Sequence, residues 1–210
     1  MRNLDKMLVV DVEATCWNND GKSMLPRRED SEIIEIGVCT IDLKTLEISP
    51  GEGIIVKPVD TEVSEFCTQL TTLTQADVDK GISFEDACNI LRKKYNSKNR
   101  LWSSYGKYDD NIFQRECAKK NVKYPFGSFH INIKGIIESV YGRTLGMAEA
   151  LEKMGIVLDG VHHRGCDDAY NTAKIYAWFL ASVRQHLHSA ECRRLMLEAG
   201  AAGDKEKEAY

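Results

Sequence analysis

Blocks of apolar residues separated by polar punctuation run along the chain and predict its elements in order. Residues 7–12 are apolar except for Asp11, the make-up of a buried strand. Residues 33–41 form a β-branched run and 54–56 a shorter one. Pro50-Gly51-Glu52-Gly53 between them suits a hairpin-type connection. Residues 18–31 are polar, with Gly21, Pro26 and many charges, and predict a surface loop.

Helical signals follow. Thr74-Gln-Ala-Asp77 and Ser83-Phe-Glu-Asp86 both fit a capping pattern. After Ser83, residues Ala87, Ile90, Leu91 and Tyr95 fall on one helical face. Residues 100–105 predict a short strand ended by Gly106, and 109–120 an amphipathic helix with Ile112, Phe113 and Cys117 inward. Residues 147–154 predict a short helix stopped by Gly155. In 167–183 the apolar residues Ala169, Ala173, Tyr176, Leu180 and Val183 recur at helical spacing, so this helix packs on the core. The composition then changes: 191–201 predict one more helix and 203–210 a charged end. The expected division is a body of residues 1–183 and a helical, charged tail of 184–210.

Composition narrows the class. The chain has 210 residues, enough for one domain with a substantial core. No apolar run approaches the roughly 20 residues of a membrane span. The opening segment is too short for a signal-peptide core and lacks a small-residue cleavage site, so a cytoplasmic location is expected. The 7 cysteines are scattered without a C-x-x-C pair, the pattern of reduced thiols. The net charge of −4 does not advertise nucleic-acid binding. It does not exclude it either, because phosphates are met locally by metal ions and a few Lys or Arg residues.

Three segments carry candidate chemistry. In Asp11-Val-Glu13, positions i and i+2 of a strand project two carboxylates to one face; burying them is costly unless they are paired or bind metal. Ser103-Ser-Tyr-Gly-Lys-Tyr-Asp109-Asp110 ends a strand, turns at glycine and opens a helix with two acids. His162-His163-Arg-Gly-Cys-Asp167-Asp168 places a histidine five positions before an acid at the start of the last core helix. Each alone has an ordinary explanation, a solvated strand end or a helix cap. A zinc site from His162, His163 and Cys166 lacks a second Cys/His pair at structural spacing. Together, four carboxylates of hard oxygen character suit Mg2+ or Mn2+. Two such ions about 4 Å apart clamp the attacking and leaving oxygens of a phosphoryl displacement. A histidine with a reference pKa of about 6.5 can take the proton of the attacking water.

The order D-x-E, a single middle Asp, then H-x4-D resembles the DEDDh 3′→5′ exonucleases. Asp11-Val-Glu-Ala-Thr-Cys16, the run Val63 to Asp79, Tyr124-Pro125, Ile131-Asn-Ile-Lys134 and the His163–Asp168 segment are similar to one branch of that family. That branch comprises the RNA 3′-exonucleases that trim histone mRNA, small interfering RNA and 5.8S rRNA ends. The likeness covers residues 5 to 183, which it implies are an exonuclease domain. Bacterial relatives of the sporulation-kinase-inhibitor-like kind share the plan.

The resemblance implies an α/β ribonuclease H-like fold: a mixed sheet of five strands, the first three antiparallel, with helices on both faces. It implies that Asp11, Glu13, Asp109 and Asp168 hold two divalent metals and that His163 is the general base. Tyr105-Gly106 stands where that branch usually has Trp, which leaves Asp110 as the alternative to Asp109; the Gly-Lys-Tyr-Asp spacing favours Asp109. Ala14 and Thr15 are expected against the terminal nucleotide. Leu70 and Leu73 are expected against its base, and Tyr105, Lys107 and Arg164 are further candidates for substrate contact. Lys134 is among the lysines considered for phosphate contact, and Glu35 reads as structural. The expected activity releases 5′-mononucleotides from the 3′ end of a single strand, RNA before DNA; the alternatives are a DNA exonuclease of proofreading or repair type and an interaction module that kept the fold and lost catalysis. Whether the chain is a monomer or a homodimer stays open.

Overall fold

Residues 3–18 and 28–187, with Ser189 and Arg194, are described by the computed structural model. The apolar runs become strands β1 (Asn3–Ala14), β2 (Ile33–Asp42) and β3 (Glu52–Ile55). Strand β1 sorts its side chains by the twofold period of a strand. Leu8, Val10 and Val12 enter one core with Phe84, Leu91, Ile112 and Phe113. Met7 and Val9 enter a second core with Ile133, Ile137, Leu151, Ala169 and Ala173. Each fully buried Leu or Ile in these cores contributes about 1.5–3 kcal/mol by leaving water. Asp11 and Glu13 continue the Met7/Val9 series, so their direction is fixed by the same alternation.

The strands form one sheet in the order β3-β2-β1-β4-β5. Strands β4 (Arg100–Ser104) and β5 (His130–Asn132) run parallel to β1, whereas β2 pairs antiparallel with β1 and β3 antiparallel with β2. This is the expected mixed five-stranded sheet. Helices α3 (Phe84–Lys94) and α4 (Tyr108–Lys120) cover one face. Helices α5 (Ile133–Tyr141), α6 (Met147–Lys153) and α7 (Gly165–Leu187) cover the other. Both capping patterns do what they predict: the Thr74 and Ser83 side chains accept from the N–H groups of Asp77 and Asp86, starting α2 (Gln75–Val78) and α3.

Two other helices take side-chain caps outside that pattern. Helix α1 (Glu65–Thr71) starts at Ser64, whose side chain accepts from Cys67 N and donates to the Cys16 carbonyl at 2.6 Å. That second bond ties α1 to the end of β1. Helix α5 is capped by Asn132 and closed by Gly142 in the left-handed region.

Helix α7 begins two residues before the expected start and ends at Leu187, so it crosses the boundary expected at 183. The rest of the tail, with the helix expected at 191–201, lies outside the described residues apart from Ser189 and Arg194. So do residues 19–27 of the expected surface loop. Among the described residues, no helix is long and apolar enough to cross a membrane.

One close approach places α7. Gly37 on β2 is the register partner of Asp11. A Cβ on Gly37 would lie 1.8 Å from the Gly165 carbonyl oxygen. Glycine there lets the first turn of α7 press onto the sheet beside Asp11, three residues before Asp168.

Candidate active site

Four acidic side chains from three elements meet at the end of β1. Oxygens of Asp11, Glu13 and Asp168 lie within 4.8 Å of one another. Asp109 arrives on the first turn of α4 because β4 ends at Ser104 and Gly106, with φ +120°, turns the chain. Its Oδ1 accepts the Val12 N–H at 3.0 Å, fixing the helix start to β1. Asp11, Glu13, Asp109 and Asp168 all line one cavity of about 580 Å³, together with His162 and His163.

The electrostatics are those of charge held against its preference. Burial, then the charges of Asp109, Glu13 and Asp168, push Asp11 well above the usual carboxylate range. Burial, then Asp168 and Glu35, raise Glu13 to about 8. Burial raises Asp109 to about 6 against the opposing Val12 N–H. Asp168 is also raised by burial, although the N–H of His163 and the His162 ring work the other way. Among the described residues, no cation or hydrogen-bond donor meets the Asp11 or Glu13 side chains. A divalent cation would supply the missing positive charge, and an all-oxygen donor set is what a hard cation takes. The residues therefore fit such a metal.

The histidines sit at the mouth of the acidic cluster. His162 Nδ1 contacts both Asp168 oxygens, at 3.1 and 2.9 Å. The His163 backbone N–H donates to Asp168 Oδ2 at 2.9 Å, and the two rings stack with centroids 4.0 Å apart. His163 holds φ at 66°, a left-handed conformation that side chains seldom adopt and that often marks a functional turn. Burial, then the neighbouring His162, lowers the His163 pKa below its ordinary value. The contact between His162 and Asp168 had no signal in the sequence, because adjacent residues in a loop carry no fixed direction.

Asp109 and Asp110 are separated by their surroundings. Asp110 accepts from Tyr124 Oη at 2.7 Å, Gln114 Nε2 at 2.7 Å and Lys107 Nζ at 3.2 Å. Burial opposes its ionisation, but those donors outweigh it and hold the carboxyl below the usual value. Asp109 alone of the two faces the cavity.

Of the other residues singled out, Ala14, Thr15, Leu70 and Tyr105 line the cavity. Tyr105 Oη donates to the Leu145 carbonyl at 3.0 Å. Leu73, Lys107 and Arg164 do not line it. Leu73 is buried in a small core with Ile34, Cys67 and Val78. Lys107 is bound to Asp110. Arg164 is bound to fully buried Glu35 through Nε at 3.1 Å, and Glu35 also accepts the Gly165 N–H at 3.1 Å. Glu35 is thus the anchor of the loop carrying His163. Trp17, Tyr108, Lys134 and Met147 complete much of the wall. Met147 gave no sequence signal, because an apolar residue on a helix reads as core.

A second acidic cluster supports the first. The Glu32 carboxylate accepts the N–H groups of Val59, Asp60 and Thr61, the Thr61 hydroxyl and Lys120 Nζ. Burial resists its ionisation, but Lys120 and these donors win and hold it at about 2. Lys120 bridges to Glu116 at 2.8 Å. The Thr15 N–H donates to the Glu32 carbonyl, the Glu32 N–H donates to the Thr15 hydroxyl, and that hydroxyl lies 3.0 Å from the one of Thr61, which joins this cluster to the cavity wall.

With that geometry in view, comparison with known proteins is informative. Human ERI1 exoribonuclease 2 is 29% identical over 199 residues, an alignment covering 83% of this chain and 28% of that protein. Rat 3′-5′ exoribonuclease 1 is 32% identical over 205 residues, covering 89% of this chain and 58% of that protein. The chain therefore spans less than two thirds of the length of these two curated relatives. The crystallographic nuclease domain of 3′hExo, a DEDDh family member bound to rAMP, superimposes with a TM-score of 0.74 at 29% identity, covering 85% of this chain and 92% of that one. The fold is therefore ribonuclease H-like, as expected. This family depends on divalent metal, in keeping with the acidic cluster. The sequence profile of the Exonuclease family, RNase_T, matches residues 8–176, and the chain belongs to that family.

Proposed function

We propose that the protein is a metal-dependent 3′→5′ exonuclease that releases 5′-mononucleotides from single-stranded RNA. The carrying observation is the convergence of Asp11, Glu13, Asp109 and Asp168 with two histidines in one cavity. The rAMP-bound DEDDh neighbour and the exoribonuclease relatives favour RNA over DNA.

In this reading the four carboxylates hold two divalent ions, Mg2+ or Mn2+. When bound, they neutralise the charge of the scissile phosphate and make its attack by water easier. The remaining work belongs to side chains. His163, kept neutral by burial, accepts the proton of the attacking water at a ring nitrogen. Its backbone bond to Asp168 holds the loop, and a ring nitrogen lies within 4.8 Å of an Asp168 oxygen. Ala14, Thr15, Leu70 and Tyr105 pack the terminal nucleotide against the cavity wall. Lys107 and Arg164 pair with Asp110 and Glu35 and do not line the cavity. The exonuclease domain occupies residues 1–183 with the helical extension beyond it, and the six described cysteines are free thiols, in keeping with the cytoplasm.

The test is a time course on 5′-labelled single-stranded RNA with Mg2+ or Mn2+, beside the DNA counterpart and an EDTA control. A ladder shortening from the 3′ end only with metal is expected, and faster on RNA. The His163→Ala variant should lose about 10²–10⁴-fold in rate. Cleavage that survives EDTA or the Asp11→Asn substitution overturns the assignment.

A further inference from the structure

Four clustered carboxylates repel a polyanionic strand as well as binding cations. A nucleic acid that enters this cavity therefore needs fixed positive charge along its backbone, away from the scissile bond. Among the described residues lining the cavity, Lys134 is the single lysine or arginine. The other basic residues near the site are committed: Lys107 to Asp110 and Arg164 to Glu35. Withdrawing Arg164 leaves fully buried Glu35 without its counter-ion, which is costly, and Lys107 is one of three donors that hold Asp110.

Lys134 is placed differently. Its nearest acid is Glu138, 3.9 Å away, and the two side chains are 35% and 34% exposed. Such a pair contributes about 0–1 kcal/mol and yields readily to a phosphate. No carboxylate of the acidic cluster pairs with it. Its backbone is firm, because the Asn132 side chain caps the first turn of α5 through Gly135 N and Ile133 and Ile137 are buried on either side. Tyr105 and Trp17 line the same cavity, so bases have aromatic faces nearby while the backbone meets Lys134.

We propose that Lys134 binds a phosphate of the nucleic-acid strand other than the one being cleaved, and so draws the strand into the cavity. This rests on the exonuclease reading above. It turns the Ile131-Asn-Ile-Lys134 segment from a family likeness into a substrate contact.

The test compares wild type, Lys134→Met, Lys134→Arg and the control Lys93→Met, which lies on α3 outside the cavity. Cleavage of a 5′-labelled RNA is followed across a salt series. In parallel, binding of fluorescein-labelled RNA is followed by anisotropy in EDTA, where no turnover occurs. For Lys134→Met, KM and Kd should rise about fivefold to tenfold with kcat unchanged, and the slope of log affinity against log salt should shrink by about 0.7. Lys134→Arg should restore most of the loss, and Lys93→Met should match wild type. Hydrolysis of the 4-nitrophenyl ester of thymidine 5′-monophosphate, which carries one phosphate, should be the same in Lys134→Met and wild type.

An unchanged salt slope in Lys134→Met overturns the inference while leaving the exonuclease reading intact. A loss on the nitrophenyl ester equal to that on RNA also overturns it, because Lys134 would then serve the scissile phosphate. A wild type that neither binds nor cleaves RNA overturns the exonuclease reading first and this contact with it.

Discussion

Glu13 and Glu32 are buried glutamates at neighbouring strand ends, one closing β1 and one preceding β2. Their carboxyls respond in opposite directions: Glu13 is raised to about 8 and Glu32 held at about 2. Burial pushes both upward. The difference lies in what each faces. Glu32 receives three backbone N–H groups, a hydroxyl and the Lys120 ammonium. Glu13 faces Asp168, Glu35 and Asp109, with no donor of its own. One cluster is complete within the chain and stiffens the wall beside Thr15. The other is complete only when something positive arrives. That contrast separates the two carboxylates more sharply than burial does.

The largest expected effect breaks the acidic cluster. Asp11→Asn should lower cleavage by about 10³-fold or more, since it removes a ligand worth several kcal/mol in the transition state. The metal-free variant should unfold at the same urea concentration as wild type or a higher one, because a repelled buried charge has gone. A variant that is inactive because it is unfolded would defeat the comparison.

Breaking the other cluster should do the reverse. Glu32→Ala leaves several N–H groups without their acceptor and Lys120 with Glu116 alone, and should cost about 3–5 kcal/mol of stability. Urea unfolding with a normal midpoint for this variant would show that the network is ornamental. Adding Mg2+ or Mn2+ at a hundredfold excess over Kd should raise the wild-type Tm by about 5–10 °C. The Glu32→Gln variant should respond equally, and Asp11→Asn hardly at all; equal responses in all three would place the metal elsewhere.

The smallest effect is in pH, where the two clusters have opposite signs. Glu32 is held below the ordinary 4.5 of glutamate, so its stabilisation is present above about pH 4.5 and lost as pH falls towards 2. Glu13 is raised, so in EDTA its contribution is present below about pH 4.5 and lost as pH rises through about 8. Metal-free stability should therefore fall on both sides. Glu13→Gln should flatten the alkaline limb and Glu32→Gln the acid limb in urea titrations. Loss of the wrong limb in either variant would reverse the assignment.

How much of this was legible beforehand differs by residue. The strand period alone set Asp11 and Glu13 on one face. The Gly-Lys-Tyr-Asp spacing singled out Asp109, but only the donors around Asp110 explain why the two neighbours differ. Lys107 and Arg164 looked available because they flank the acidic residues in sequence. Each proves to be bound by a carboxylate, and Glu35 lies 129 positions from Arg164. Leu73 looked like a wall residue and is core.

By itself, then, the sequence determined the elements whose signals are local: the apolar runs of β1 and β2, the Thr74 and Ser83 caps, and the family pattern of acids and histidine. The tertiary structure decided everything that depends on partners distant along the chain. The close approach of Gly37 and Gly165 sets α7 beside Asp11, and the sheet order brings β4 and α4 to the same end. Pairing then leaves Glu13 unmet while satisfying Glu32. The physical reason is that periodicity and capping act over a few residues, whereas the charge state of a buried carboxylate is set by groups that only folding brings within a few ångströms.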